Sequence, residues 1–161
     1  GQLTQLVYGN GVTTTSTYDP LTLRLASLRT TGPSGTLQDF AYTFDKAGNV
    51  TEILDRVRPG SSQSFTYDGL HRLTRAVGSY GDARYGYDPL GNLLEKESRT
   101  LLYGAGAAGP HAVTSTSDGL TLTYDANGNV TEKRPSTCPA TGPCPAAQTF
   151  RYDAEQRQGE F

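Results

Sequence analysis

Apolar and polar positions alternate along this chain in short runs that each end on an aromatic residue followed by aspartate. Tyr42-Thr43-Phe44-Asp45, Phe65-Thr66-Tyr67-Asp68 and Leu122-Thr123-Tyr124-Asp125 put rings or leucine on one side of the backbone and threonine on the other. That is the two-residue period of a strand with one face in water. The doublet returns at Tyr18-Asp19, Phe44-Asp45, Tyr67-Asp68, Tyr87-Asp88, Tyr124-Asp125 and Tyr152-Asp153. The intervals are unequal, so insertions fall between units and a strict solenoid does not fit. No long segment shows the 3.6-residue period, and helix is not expected.

The residues after the doublet are more uniform than its spacing. Phe44-Asp45-Lys46-Ala47-Gly48-Asn49-Val50, Tyr87-Asp88-Pro89-Leu90-Gly91-Asn92-Leu93 and Tyr124-Asp125-Ala126-Asn127-Gly128-Asn129-Val130 lie over one another without a gap. Aspartate opens a turn by accepting backbone N–H groups a few residues on, and glycine supplies the left-handed residue that ends it. The expected structure is a three-residue hairpin loop closed by a glycine bulge. His71 stands where the third unit would have glycine, and histidine enters the left-handed region more readily than most residues. The first unit departs from the phrase after Asp19, and the sixth, at Asp153, puts Gln156 at the left-handed position and Gln158 where an aliphatic residue is expected. The sixth hairpin is therefore expected to be unpaired or frayed.

Counting back from the turn sets the register. Phe44 should face Val50, Tyr67 Leu73, Tyr87 Leu93 and Tyr124 Val130, and these pairs are the expected core. On the other face Thr43 should meet Thr51, Thr66 Thr74 and Thr123 Thr131. One step further out, Tyr42 should face Glu52, Phe65 Arg75, Tyr85 Glu95 and Leu122 Glu132. A lone hairpin is marginal in water, so the units must line up side by side. The predicted fold is all-β: consecutive antiparallel β-hairpins forming one long, curved sheet, a single segment over residues 1–161 with about six units.

Composition narrows the function. With 35% hydrophobic and 19% charged residues, and no apolar run beyond about three residues, no transmembrane helix is expected. Lys plus Arg is 14 against 16 for Asp plus Glu, a net charge of -2, which gives nucleic acid no electrostatic footing. The chain contains no Met and no charged-then-apolar leader, and is read as a piece of a larger protein.

These units, with Gly109-Pro110-His111-Ala112-Val113-Thr114 leading into the fifth, resemble the YD repeats of bacterial Rhs proteins over nearly the whole chain. In that family such repeats form a hollow β-shell around a toxic C-terminal domain, and related repeats occur at animal cell surfaces. The resemblance implies a strip of shell wall. Its partners would be the rest of the same polypeptide and the enclosed toxin or effector, and its location the secreted or cell-surface space. The family's self-cleaving aspartyl segment has no match here, so no catalytic residue is carried over.

Candidate chemistry is weighed against that reading. Asp19, Asp45, Asp68, Asp88, Asp125 and Asp153, with Gly48, Gly91, Gly128 and His71, are assigned as structural turn residues, since one carboxylate per hairpin does not build an acid/base pair. His71 and His111 lack a recognisable nucleophile; no metal site and no cofactor are expected. Cys138 and Cys144 could close a disulfide if their loop folds back, and the spacing leaves bridged and reduced forms both open. The primary expectation is a non-enzymatic shell segment that encapsulates or displays a toxin or effector domain. The alternative is a module that binds cell-surface carbohydrate through an exposed strand face or loops. Open sheet edges and a partly uncovered aromatic face predict self-association.

Overall fold

The computed structural model describes residues 1–136, 146–153 and 158–159. The chain divides into two compact units, residues 1–84 and 85–161. The first holds β1 (Gln5–Val7), β2 (Thr13–Tyr18), β3 (Leu25–Gly32), β4 (Gly35–Phe44), β5 (Val50–Asp55), β6 (Gln63–Tyr67), β7 (Leu73–Gly78) and the opening of β8 (Gly81–Tyr87). The second holds the end of β8, then β9 (Leu93–Lys96), β10 (Arg99–Tyr103), β11 (Val113–Thr116), β12 (Leu120–Tyr124), β13 (Val130–Pro135) and β14 (Gln148–Thr149). A separate ribbon pairs β15 (Arg151–Tyr152) with β16 (Gln158–Gly159). Within each unit, sequence neighbours are antiparallel sheet neighbours. The fold is all-β, as the alternation predicts, and the only helical turn among the described residues is a 3-10 turn at Pro59–Ser61.

The pairs beside the turns stand as counted: Phe44 faces Val50, Tyr67 faces Leu73, Tyr87 faces Leu93 and Tyr124 faces Val130. Beyond them the counted register is wrong by one residue. Each of these hairpins carries a bulge just before the ring, so Thr43 faces Glu52, Tyr42 faces Ile53, Phe65 faces Ala76, Tyr85 faces Lys96 and Leu122 faces Lys133. The residue squeezed out is the one after the aliphatic residue: Thr51, Thr74, Leu94 or Thr131. Extruding it increases local twist and returns Ile53 and Ala76 to the aromatic face, where the bulge-free count had put a charged residue. The threonines meet regardless, with Thr43 and Thr51 hydroxyls 3.0 Å apart, Thr66 and Thr74 3.2 Å, and Thr123 and Thr131 3.1 Å.

Two further expectations need correction. The sixth hairpin is paired, with Tyr152 opposite Gln158, because backbone hydrogen bonds do not require an aliphatic side chain at that position. The ring pairs do not form a buried core: among the described residues the buried hydrophobic ones are Ala76 (4% exposed) and Ala83 (5%), which face each other across β7 and β8. The rings lie half-buried on single-layer sheet, where small side chains at the centre can be covered by their neighbours but large ones cannot.

Candidate functional site

The chemistry of the chain gathers on the turn rim. After Phe44, the Asp45 N–H donates to the Asn49 carbonyl (3.0 Å) and the Gly48 N–H donates back to the Asp45 carbonyl (3.2 Å). Gly48 sits at φ 104, Gly91 at φ 91 and Gly128 at φ 85, the region that a Cβ disfavours. Two side-chain residues hold the corresponding place, His71 at φ 62 and Leu23 at φ 59. The first turn is one residue longer than the others, with the Leu23 N–H donating to the Asp19 carbonyl.

From Asp19 to Asp125, each turn carboxylate is consumed by its own turn. Asp45 Oδ1 accepts from the Gly48 and Asn49 N–H groups at 2.8 and 2.9 Å, and Oδ2 accepts from the Asn49 amide at 2.8 Å. Asp88 is bound in the same way by Asn92, and Asp125 by Asn129. At Asp68 the guanidinium of Arg72 replaces the amide (2.7 Å), and at Asp19 the hydroxyl of Thr22 does so (2.8 Å). These donors favour the ionised form. The Asn49 and Asn129 side chains lead in lowering the Asp45 and Asp125 carboxyls below their ordinary value, and backbone N–H groups lead at Asp19 and Asp68. At Asp88 burial is the largest influence and pushes upward, and the hydrogen bonds from Asn92, Leu90 and Gly91 together outweigh it. Asp153 directly follows β15, and its turn, residues 154–157, lies outside the described residues, as do Gln156, Cys138 and Cys144.

The asparagine after the glycine also reaches sideways. Asn49 Nδ2 stands 3.0 Å from Nδ1 of His71 in the next turn. Because that amide nitrogen is already oriented by Asp45, the His71 Nδ1 must accept. In the second unit Asn92 donates to Asp88 and to the Pro110 carbonyl, leaving its Oδ1 facing Nδ1 of His111 at 2.6 Å, which must donate. The two histidines thus occupy matching places with opposite ring polarity. The spacing-based reading took them as separate turn and loop residues and gave the asparagines no role, although their return in each Gly-Asn phrase was the available signal.

A second device runs beneath the rim. The hydroxyls of Tyr18, Tyr67, Tyr103, Tyr124 and Tyr152 donate to the carbonyls of Leu3, Val50, Leu93, Val113 and Val130, at 3.0, 2.9, 2.9, 2.6 and 3.0 Å. Every acceptor is an aliphatic residue at or just before the start of the preceding return strand, so each ring fastens one hairpin to the one before it. Tyr103 lacks the following aspartate and escapes a search for doublets, yet its hairpin has the same bulge and the same stitch. Asp55 was also missed: it is 2% exposed, accepts from the Val57 and Arg58 N–H groups, and organises the insertion between β5 and β6. Among the described residues no group of three or more His, Cys, Asp or Glu is placed to hold a metal, and no helix is long and apolar enough to cross a membrane.

Stitched antiparallel hairpins, all but that of Tyr103 turning on an aromatic–aspartate phrase, define YD-repeat sheet, and the chain belongs to the bacterial Rhs/YD-repeat proteins as a stretch of their repeat shell. It is 32% identical over 152 residues to toxin subunit YenC2 of Yersinia entomophaga, covering 83% of this chain and 14% of YenC2. It is 37% identical over 95 residues to toxin subunit YenC1 of the same organism, of which it covers 10%. The chain therefore spans about a seventh or less of these relatives. No family model matches it. Its fold is shared with the TcdB2-TccC3 crystal structure (TM-score 0.57, 19% identity, 96% of this chain and 10% of that one) and with the Photorhabdus luminescens Tc holotoxin pore (TM-score 0.56, 19% identity, the same coverages).

Proposed function

We propose that this segment is a non-enzymatic length of shell wall that encloses or displays a toxin or effector domain of a secreted bacterial protein. The observation that carries the reading is the use of its polar groups. The carboxylates of Asp19, Asp45, Asp68, Asp88 and Asp125, the asparagine amides behind the glycines and the hydroxyls of Tyr18, Tyr67, Tyr103, Tyr124 and Tyr152 are spent on bonds within their own turn or to the adjacent hairpin, which hold the hairpins in register. The partners are further repeat sheet and the enclosed domain, with the half-buried aromatic face supplying apolar surface toward one of them. Isolated from those partners, the segment self-associates through that face. The turn aspartates, Gly48, Gly91, Gly128 and His71 act as structural residues in this account.

The test uses the longer protein that carries the segment. Deleting one whole hairpin, β6 with β7, should make an enclosed C-terminal domain cleavable by added protease while the intact protein protects it. Equal protection with and without the hairpin would refute enclosure.

A further inference from the structure

Two asparagines of this chain precede glycine, Asn10 and Asn127, and the backbones around them match. Gly11 sits at φ 80 and Gly128 at φ 85, and each glycine N–H donates at 3.1 Å to a carbonyl earlier in its loop, that of Tyr8 for Gly11 and that of Asp125 for Gly128. Both pairs are exposed. Their side chains differ. Oδ1 of Asn10 accepts from the Val12 N–H at 3.2 Å, whereas Oδ1 of Asn127 accepts nothing among the described residues. The other asparagines, Asn49, Asn92 and Asn129, precede valine or leucine, and a turn aspartate holds each of their amides.

We infer that Asn10 is a self-modification site, at which the Gly11 nitrogen displaces the Asn10 side-chain amide and the Val12 N–H acts as oxyanion donor. Once the Gly11 N–H leaves the Tyr8 carbonyl and gives its proton to water, the nitrogen attacks Cγ of Asn10. Glycine permits that approach because no Cβ stands beside the attacking atom. Negative charge gathers on Oδ1, the atom to which the Val12 N–H already points. Collapse breaks the Cγ–Nδ2 bond, and the nitrogen departs as ammonia with a proton from water, leaving a five-membered succinimide. Water then opens the ring. Cleavage of the new N–Cγ bond gives aspartate; cleavage between that nitrogen and the Asn10 main-chain carbon gives isoaspartate, with one more carbon in the backbone. Either product adds a negative charge to the loop between β1 and β2. The isoaspartate form also lengthens a loop that the Tyr8 N–H and the Val12 carbonyl close at 2.8 Å. The inference rests on loop geometry and holds whatever the sheet encloses.

The test ages the full chain in mildly alkaline buffer and follows, peptide by peptide, the mass gain of amide-to-acid conversion, with isoaspartyl methyltransferase scoring the isoaspartate form. Asn10 should convert at least about threefold faster than Asn127, short of the roughly hundredfold that an enclosed oxyanion donor supplies, because this donor is exposed. Asn49, Asn92 and Asn129 should remain amides over the same period. In concentrated urea, where the Val12 contact is gone, the rates of Asn10 and Asn127 should converge. Val12→Pro, which deletes the N–H, should bring Asn10 down to the rate of Asn127 in the folded chain. Conversion of Asn10 no faster than that of Asn127 in the folded chain would overturn the assignment. So would a lead that persists unchanged in urea, which would give the effect to neighbouring sequence.

Discussion

The residue that distinguishes this turn from an ordinary aspartate loop is the asparagine behind the glycine. It clamps the carboxylate of its own turn and, in two hairpins, holds a histidine of the next. Asn92, only 7% exposed, does the most, with bonds to Asp88, Pro110 and His111. Asn92→Ala should therefore cost about 2 kcal/mol in urea unfolding, against about 1 kcal/mol for Asn129→Ala, whose amide serves Asp125. The carboxylates set an acid limit. The Asp19, Asp45, Asp68, Asp88 and Asp125 carboxyls are lowered on folding from 3.8, so their contribution is complete above that value and is lost as pH falls through their folded values. The urea midpoint should hold at neutral pH and decline below about pH 4. At the alkaline end, burial raises the Tyr67, Tyr103 and Tyr124 phenols above 10.0, so their contribution is present below that value and lost as pH rises through the folded ones.

At the scale of the strand and hairpin, sequence pattern reached the strands, the turns and the contact next to each turn, and stopped at the bulge. Alternation is a property of side chains, and Phe44-Val50 is legible because the turn length fixes it. Extrusion of Thr51 is a backbone event with no residue type of its own, so counting carried the error outward to Tyr42 and Glu52. The hydroxyl stitches were illegible for another reason. A tyrosine on an apolar face looks the same whether its oxygen meets water or a carbonyl of the neighbouring strand. Phe44 shows that a ring can hold this place without an oxygen, with Arg24 lying 5.6 Å over it. Tyr67→Phe should nonetheless lower stability by about 1 kcal/mol by stranding the Val50 carbonyl, while Tyr8→Phe, at a side chain 45% exposed, should be near neutral. Equal effects would deny the stitch any energetic weight.

For the molecule as a whole, the pattern of rings led to the expectation of an aromatic core, and the structure buries only Ala76 and Ala83 among the described hydrophobic residues, because single-layer sheet leaves its rings half-covered. Apolar side chains also crown several turns, with Leu21 91%, Leu70 70% and Leu90 68% exposed. Sedimentation should show weight-average mass rising with concentration, and Leu70→Lys should reduce the rise without changing the far-ultraviolet signal of the strands. A concentration-independent monomer would mean that the exposed leucines and half-covered rings attract nothing. The hairpin of Tyr103 adds a different consequence. Its strands keep their stitch although the connection between them, residues 104–112, is longer than the other turns and lacks the aspartate. Both flanking strands are anchored outside the loop, β10 through Tyr103 to Leu93 and β11 through its Val113 carbonyl to Tyr124, which makes the stretch around Ala105–Ala108 a natural port for grafted peptides or reporter domains, a place where new sequence can be spliced in while the fabric on either side stays woven.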